Sequence, residues 1–307
     1  MISKITVFLN SDFVFRFKRD RIAQVSLFVF LAFALCALAS PLLAPFDPYD
    51  PMQIDIMDSE TPPIWQNDEA GSPFLLGTDA QGRDMLSTIL YGTRVSLLIG
   101  LCAVLLQGVL GVSIGLISGY LGGRVESFFM RLADIQLSFS TLMVAIIAAA
   151  LFKAIFGSEI YGNVAIIILI LIIGIAEWPQ YARTVRASVL AERKKEYVDA
   201  ARVIGLPPLR IMFRHILPNT LSPILVISTV QIANAIISEA ALSFLGLGMP
   251  VNKPSLGSLI SSGFEFIFSG SWWITVIPSL VLIILIISIN LLGDWLRDVL
   301  NPRLYKD

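Results

Sequence analysis

Residues 178–219 read WPQYARTVRASVLAERKKEYVDAARVIGLPPLRIMFRHILPN, and they hold eight of the chain's 22 Lys and Arg residues. Within this stretch stand Asp199-Ala200-Ala201, Gly205 and Leu217-Pro218. Two small alanines on a short charged helix, a glycine that turns the chain and a second helix opened by Pro207-Pro208 predict a helix-turn-helix knob, suited to docking rather than chemistry. Around it the chain is apolar. With 56% hydrophobic residues, 15% charged residues and a mean hydropathy of +0.78, it falls outside the composition of soluble domains.

About 20 apolar residues span the ~30 Å hydrocarbon layer as a helix. Working outward from the knob, six such runs are found, at 22–44, 95–120, 137–156, 162–177, 221–241 and 274–292. The expected fold is therefore an all-α, polytopic transmembrane bundle of six spans. Lys and Arg are retained on the cytoplasmic side. With the N-terminus inside, eighteen of the 22 basic residues fall on cytoplasmic segments and four outside, at Arg83, Arg94, Lys153 and Lys253. This count places both termini in the cytoplasm.

The predicted organisation is a cytoplasmic N-terminal segment (1–21), a first span (22–45), an external loop (46–94), a five-helix core (95–300) containing the loop 178–219, and a cytoplasmic tail (301–307). Residues 46–94 carry nine acidic and two basic side chains and five prolines, which predicts an extended or looped external elaboration rather than long helix. Ahead of the first span, Ile5, Phe8, Leu9, Phe13, Phe15 and Phe17 interleave with Lys and Arg, the pattern of a helix lying in the interface. The following run is too long for a signal-peptide h-region, so cleavage is not expected. Asp134 and Glu177 are expected near span ends with access to water. Trp178, Trp272, Trp273 and Trp295 are expected as interfacial anchors.

Several chemistries are excluded. No Gly-Lys dipeptide occurs, so the chain holds no Walker A phosphate loop. His215 is the sole histidine, which rules out HExxH; Cys36 and Cys102 both fall inside spans and imply neither a disulfide framework nor a metal site. Gly111-Val112-Ser113-Ile114-Gly115 matches a hydrolase elbow in letters only, because it lies midway along a membrane span far from the histidine. It reads instead as part of a ladder of Gly111, Gly115, Gly119 and Gly123, where a neighbouring backbone can approach closely.

In the fifth span Ser228, Gln231, Asn234, Ser238 and Glu239 project within an arc of about 140° at 100° per residue. Polar groups facing hydrocarbon are costly, so this stripe faces either a partner helix or a watery pathway.

The knob's spacing resembles the EAA loop of bacterial ABC importer permeases: Asp199-Ala200-Ala201, three residues, Gly205, nine residues, His215, one residue, Leu217-Pro218. Asp replaces the family's Glu, and His its Ile. Three further segments are similar to the second permease subunit of the peptide, dipeptide and nickel branch. They are Leu76-Gly77-Thr78-Asp79 with Gly82-Arg83-Asp84, then Glu239 through Gly248, and Gly293-Asp294-Trp295-Leu296-Arg297-Asp298. At Phe139-Ser140 relatives often have Phe-Pro.

The resemblance implies a type I importer permease in the bacterial inner membrane that moves dipeptides or oligopeptides. It implies four kinds of partner: a second permease subunit, two cytoplasmic ATPase subunits, a periplasmic binding protein and membrane lipid, with no nucleic acid. ATP is then used by the partners, with no catalytic residue, cofactor or metal on this chain. Asp199, Ala200, Ala201, Gly205, Leu217 and Pro218 would couple to the ATPases, the two alanines seating closely in a groove. Gly77, Asp79, Arg83 and Asp84 would be candidate contacts for the binding protein. The rival class is a secondary transporter or channel of small solutes, which would show midplane ionisable residues in paired halves. A membrane enzyme would need a convergent nucleophile, base or metal set.

Overall fold

The structure, a computed structural model, describes residues 12–66, 73–250 and 252–300. The tail at 301–307 and the first half of the N-terminal segment, with Ile5, Phe8 and Leu9, lie outside the described residues. Helix α1 (Asp12–Arg19) precedes α2 (Arg21–Leu38), α3 (Met85–Leu121), α4 (Gly123–Leu137), α5 (Thr141–Glu192), α6 (Glu196–Val203), α7 (Leu221–Phe244), α8 (Leu256–Phe264) and α9 (Trp273–Leu300). No strand occurs among the described residues.

Five helical stretches are long and apolar enough to cross a membrane, yet they make six crossings. The 52-residue α5 breaks at Gly157, whose φ of 80° and ψ of 160° are non-helical. That the chain reverses there follows from Gln136, whose Nε2 donates to the Ile175 and Ala176 carbonyls at 2.7 and 2.8 Å. Gln136 lies at the end of α4, five residues before Thr141, and an unbroken α5 would carry Ile175 about 50 Å away from Thr141. The predicted third and fourth spans are thus the two arms of one helical hairpin.

Boundaries differ from the expected ones, each for a local reason. Helix α3 begins at Met85 rather than 95, because Asp84 caps it by accepting from the Ser87 amide at 2.8 Å. The small polar residues Ser87, Thr88 and Thr93 in its first turns lower the hydropathy without breaking the helix. The second arm of α5 runs on to Glu192, through Pro179 and the arginines that read as loop. Those arginines are neutralised sideways: Arg183 pairs with Asp134 and Arg186 with Glu126, both on α4. The third predicted span starts at Thr141, since Leu137 ends α4.

The main core lies where α3, both arms of α5 and α7 meet, around Ile99, Ala103, Ala149, Leu169, Tyr181 and Leu242. A second joins α2, α3, α8 and α9 around Met85, Leu256, Trp273 and Leu285. The glycine ladder forms the seam between α3 and the second arm. A Cβ on Gly111 would stand 2.3 Å from Tyr181 Cβ, on Gly115 2.6 Å from the Ala182 carbonyl, and on Gly119 2.8 Å from Val189 Cβ. Gly123 does not belong to it. Its φ is 59° and a Cβ there meets nothing within 4 Å, because it starts α4.

Two of the tryptophans are not interfacial anchors. Trp178 and Trp273 are each 5% exposed. The first donates from Nε1 to Gln136 Oε1 at 2.9 Å and the second to the Thr78 carbonyl at 3.1 Å. Their N–H groups find internal partners, which removes the reason for them to sit at the headgroups. Trp295 stacks edge-on with Phe17 of α1 at 5.2 Å, tying the N-terminal helix to the end of α9.

Candidate functional site

The predicted knob is present. After Glu192 the chain turns into α6, ends it with Gly205 at φ 81°, and re-enters a one-turn helix at Pro208–Ile211 capped by Pro207. The Gly205 amide donates to the Arg202 carbonyl at 2.9 Å and the Leu206 amide to Ala201 at 3.1 Å. This closure needs a left-handed residue, which glycine adopts without a Cβ penalty. A π-turn (Met212–Ile216) and a short 3-10 helix (Leu217–Thr220) then lead into α7, so Leu217-Pro218 serves as the joint between knob and span.

The two alanines divide. Ala201 is 5% exposed and packs with Val198, Ile211, Met212 and Ile216 onto Leu116, Val185 and Val189, so it seats the knob on its own body and not in a partner's groove. Ala200 faces outward, beside Asp199, which is exposed and pairs with Arg202 at 3.0 Å. Tyr197 ties the base: its hydroxyl donates to Glu192 Oε2 at 2.7 Å and accepts from Asn219 Nδ2 at 3.3 Å. Burial and the Glu192 carboxylate push the Tyr197 phenol up to about 12, so it stays a donor at neutral pH. Sequence reading missed the exposed tip. Val203, Ile204, Leu209 and Phe213 are 88, 75, 66 and 54% exposed, four apolar side chains within an eleven-residue stretch of the knob left open to an interaction.

The polar stripe of α7 turns inward. Gln231 Nε2 donates to Glu177 Oε2 at 2.8 Å and to Gln107 Oε1 at 3.3 Å, while Asn234 Nδ2 donates to Gln231 Oε1 at 3.0 Å. Tyr181 donates to Ser228 Oγ at 2.8 Å. Glu239, fully buried, accepts from Ser96 Oγ at 2.8 Å and Ser243 Oγ at 2.7 Å. These bonds join α3, α5 and α7, and Ser238 beside them is half-buried. Glu177, 5% exposed, is a member of this network and has no snorkelling position. The side chains α7 leaves exposed are instead apolar, with Val230, Ile237 and Phe244 seven residues apart on one face.

The segment before α3 is a closed clasp. Asp79 pairs with Arg83 at 2.6 Å, both 3% exposed at the side chain, and its Oδ1 also accepts from the Gln81 and Arg83 amides at 2.8 and 2.9 Å. Arg83 thus pairs with Asp79, while Asp84 caps the helix. Gly77 and Gly82 have φ of 77° and 79°; a Cβ on them would lie 2.5 Å from the Thr61 carbonyl and 1.9 Å from the Asp55 carbonyl. The external segment is laid over these glycines and held from the far side by Ser271, which donates to Glu60 Oε2 at 2.6 Å. The charged side chains of Asp79, Arg83 and Asp84 are thus engaged within the fold.

Among the described residues, an all-helical bundle with helices of membrane-crossing length defines a multi-pass membrane protein. Residues 111–306 match the family described as binding-protein-dependent transport system inner membrane component, and residues 9–63 match the N-terminal TM domain of oligopeptide transport permease C. The chain belongs to that inner-membrane-component family. It is 39% identical over 294 residues to the dipeptide transport system permease protein DppC of Haemophilus influenzae, covering 95% of this chain and 94% of that one. It is 37% identical to the di/tripeptide transport system permease protein DppC of Pseudomonas aeruginosa, over 94% of this chain and 90% of the relative. Among solved structures, an inward-facing MetNI methionine ABC transporter superposes with a TM-score of 0.55 at 20% identity, over 71% of this chain and 98% of its own. That likeness establishes the fold, the type I importer permease architecture.

Proposed function

We propose that this chain is the transmembrane permease subunit of an ATP-driven peptide importer in the bacterial inner membrane. It would pair with a second permease, receive peptide from an external binding protein and be driven by two cytoplasmic ATPase subunits that alone handle ATP. The observation that carries this reading is the knob: an exposed apolar tip on a base locked by Val198, Ala201 and Ile211. Such a part suits a groove in a separate protein and can pass on a rigid-body displacement. The dipeptide and di/tripeptide permeases it resembles support a peptide as substrate.

The rest of the chain fits that task. The second arm of α5 enters the knob directly and is seamed to α3 by glycines, so a push at the tip moves two spans together. Buried polar networks give these spans a fixed register, because breaking one hydrogen bond would strand a polar group in an apolar interior. The apolar stripe of Val230, Ile237 and Phe244 is the surface offered to the second permease across the pathway. The test is uptake of labelled Ala-Phe into proteoliposomes holding this chain, its partner permease, the ATPases and the binding protein. Uptake should require ATP and vanish when the ATPases are omitted; ATP-independent uptake would refute the reading.

A further inference from the structure

At the end of the bundle opposite the knob lies a cavity of about 520 Å³. The 35-residue second arm separates it from the knob by about 50 Å of helix. Its wall is assembled from four places: the hairpin around Gly157, the chain following α7, helix α8 and the clasp. The volume falls in the range of roughly 300–1,000 Å³ found for small-molecule sites.

The charges around it are unevenly spent. Asp79 and Arg83 form a neutral, buried pair. Lys153 and Glu265 line the same cavity, and among the described residues neither makes an ion pair. Lys153 Nζ uses one of its donors on the Gly246 carbonyl at 3.0 Å, leaving two. On the α8 side, Ser261 donates its proton to the Phe244 carbonyl at 2.8 Å and Ser262 to the Leu259 carbonyl at 3.1 Å. With their protons committed, both hydroxyls present only lone pairs. The lining therefore offers a cation from the hairpin, and a carboxylate with acceptor oxygens from α8 and the residue after it.

We propose that this cavity holds the translocated peptide by its free termini, the α-carboxylate on Lys153 and the α-ammonium on Glu265 with the lone pairs of Ser261 and Ser262. The site rests on the peptide-importer reading above. Two or three extended residues span roughly 6–10 Å between termini, a length a cavity of this size admits. Blocking either terminus removes one of the two charges the lining complements. The permease would then inspect what the binding protein delivers.

The test uses the whole importer in proteoliposomes with saturating Ala-Phe-loaded binding protein, reading peptide imported per ATP hydrolysed. Glu265→Gln, an exposed position with no side-chain bond to lose, and Lys153→Ala should each lower that ratio about tenfold, as expected for losing one charge-assisted contact. Lys153→Arg should keep it, and binding-protein-stimulated ATPase activity should stay at the wild-type rate in all three. Wild-type ratios in both Glu265→Gln and Lys153→Ala would overturn the site. So would a parallel loss of stimulated ATPase activity, which would make these residues binding-protein contacts instead. If the wild-type complex itself imports no Ala-Phe, the peptide reading fails, an outcome distinct from variants that match an active wild type.

Discussion

The knob and the clasp are both short, turn-rich segments with glycines at positive φ, yet their side chains are used in opposite ways. In the clasp the charged groups close on one another: Asp79 and Arg83 are buried as a pair and Asp84 is spent on capping α3. In the knob the groups on both sides are apolar: Val198, Ala201, Ile211 and Ile216 pack inward, while Val203, Ile204, Leu209 and Phe213 stand in the open. A side chain already satisfied at home has little left for a partner, whereas an exposed Val203 or Ile204 gains from being covered. The contrast separates a segment that holds its own fold from one whose apolar tip, on the function proposed above, is left for another protein.

The largest effect that would test this contrast lies in the clasp. Asp79→Ala takes from the buried Arg83 its carboxylate partner and should cost about 3 kcal/mol, seen as loss of cooperative thermal unfolding or of recoverable protein in detergent; a variant as stable as wild type would break the distinction. Next come the glycines. Gly82→Ala drives a Cβ to 1.9 Å from the Asp55 carbonyl and should destabilise by about 3 kcal/mol or more, combining overpacking with backbone strain. Gly205→Ala meets nothing within 4 Å, so only the left-handed backbone opposes it, at about 1–2 kcal/mol. The difference between the two melting shifts is the measurement, and equal shifts would contradict the geometry.

Smallest in stability is the knob's tip. Val203→Asp should change unfolding by less than about 0.5 kcal/mol while cutting co-purification of the ATPase subunits about tenfold. Normal co-purification would remove the tip from the docking surface. Comparably small in stability, and without an expected effect on co-purification, is Arg183→Ala, where the pair with Asp134 is half-exposed on both sides, and the melting temperature should scarcely move because such pairs contribute about 0–1 kcal/mol.

Much of this was legible in the sequence, for reasons that differ by region. Long apolar runs give spans because hydrocarbon leaves few alternatives, and the Gly111, Gly115 and Gly119 spacing announced a close seam that the structure contains. The knob followed from Gly205 and Pro207-Pro208, whose backbone limits are local. What stayed hidden depends on pairing across the fold. Arg183 and Arg186 read as loop until Asp134 and Glu126 are seen beside them, and Glu177 read as water-exposed until Gln231 is placed against it. Exposure of Val203 or Ile237 carries no sequence signal either, since an apolar residue in a helix looks alike whether its neighbour is its own core or a missing subunit.

The glycine seam also constrains how this protein can vary in length. A single residue inserted between Gly111 and Gly119 would swing the later rung by about 100°, turning a backbone-wide slot into a side chain that Val189 cannot clear. An insertion or deletion inside the seam therefore breaks it, so the two paired helices are held to a fixed length.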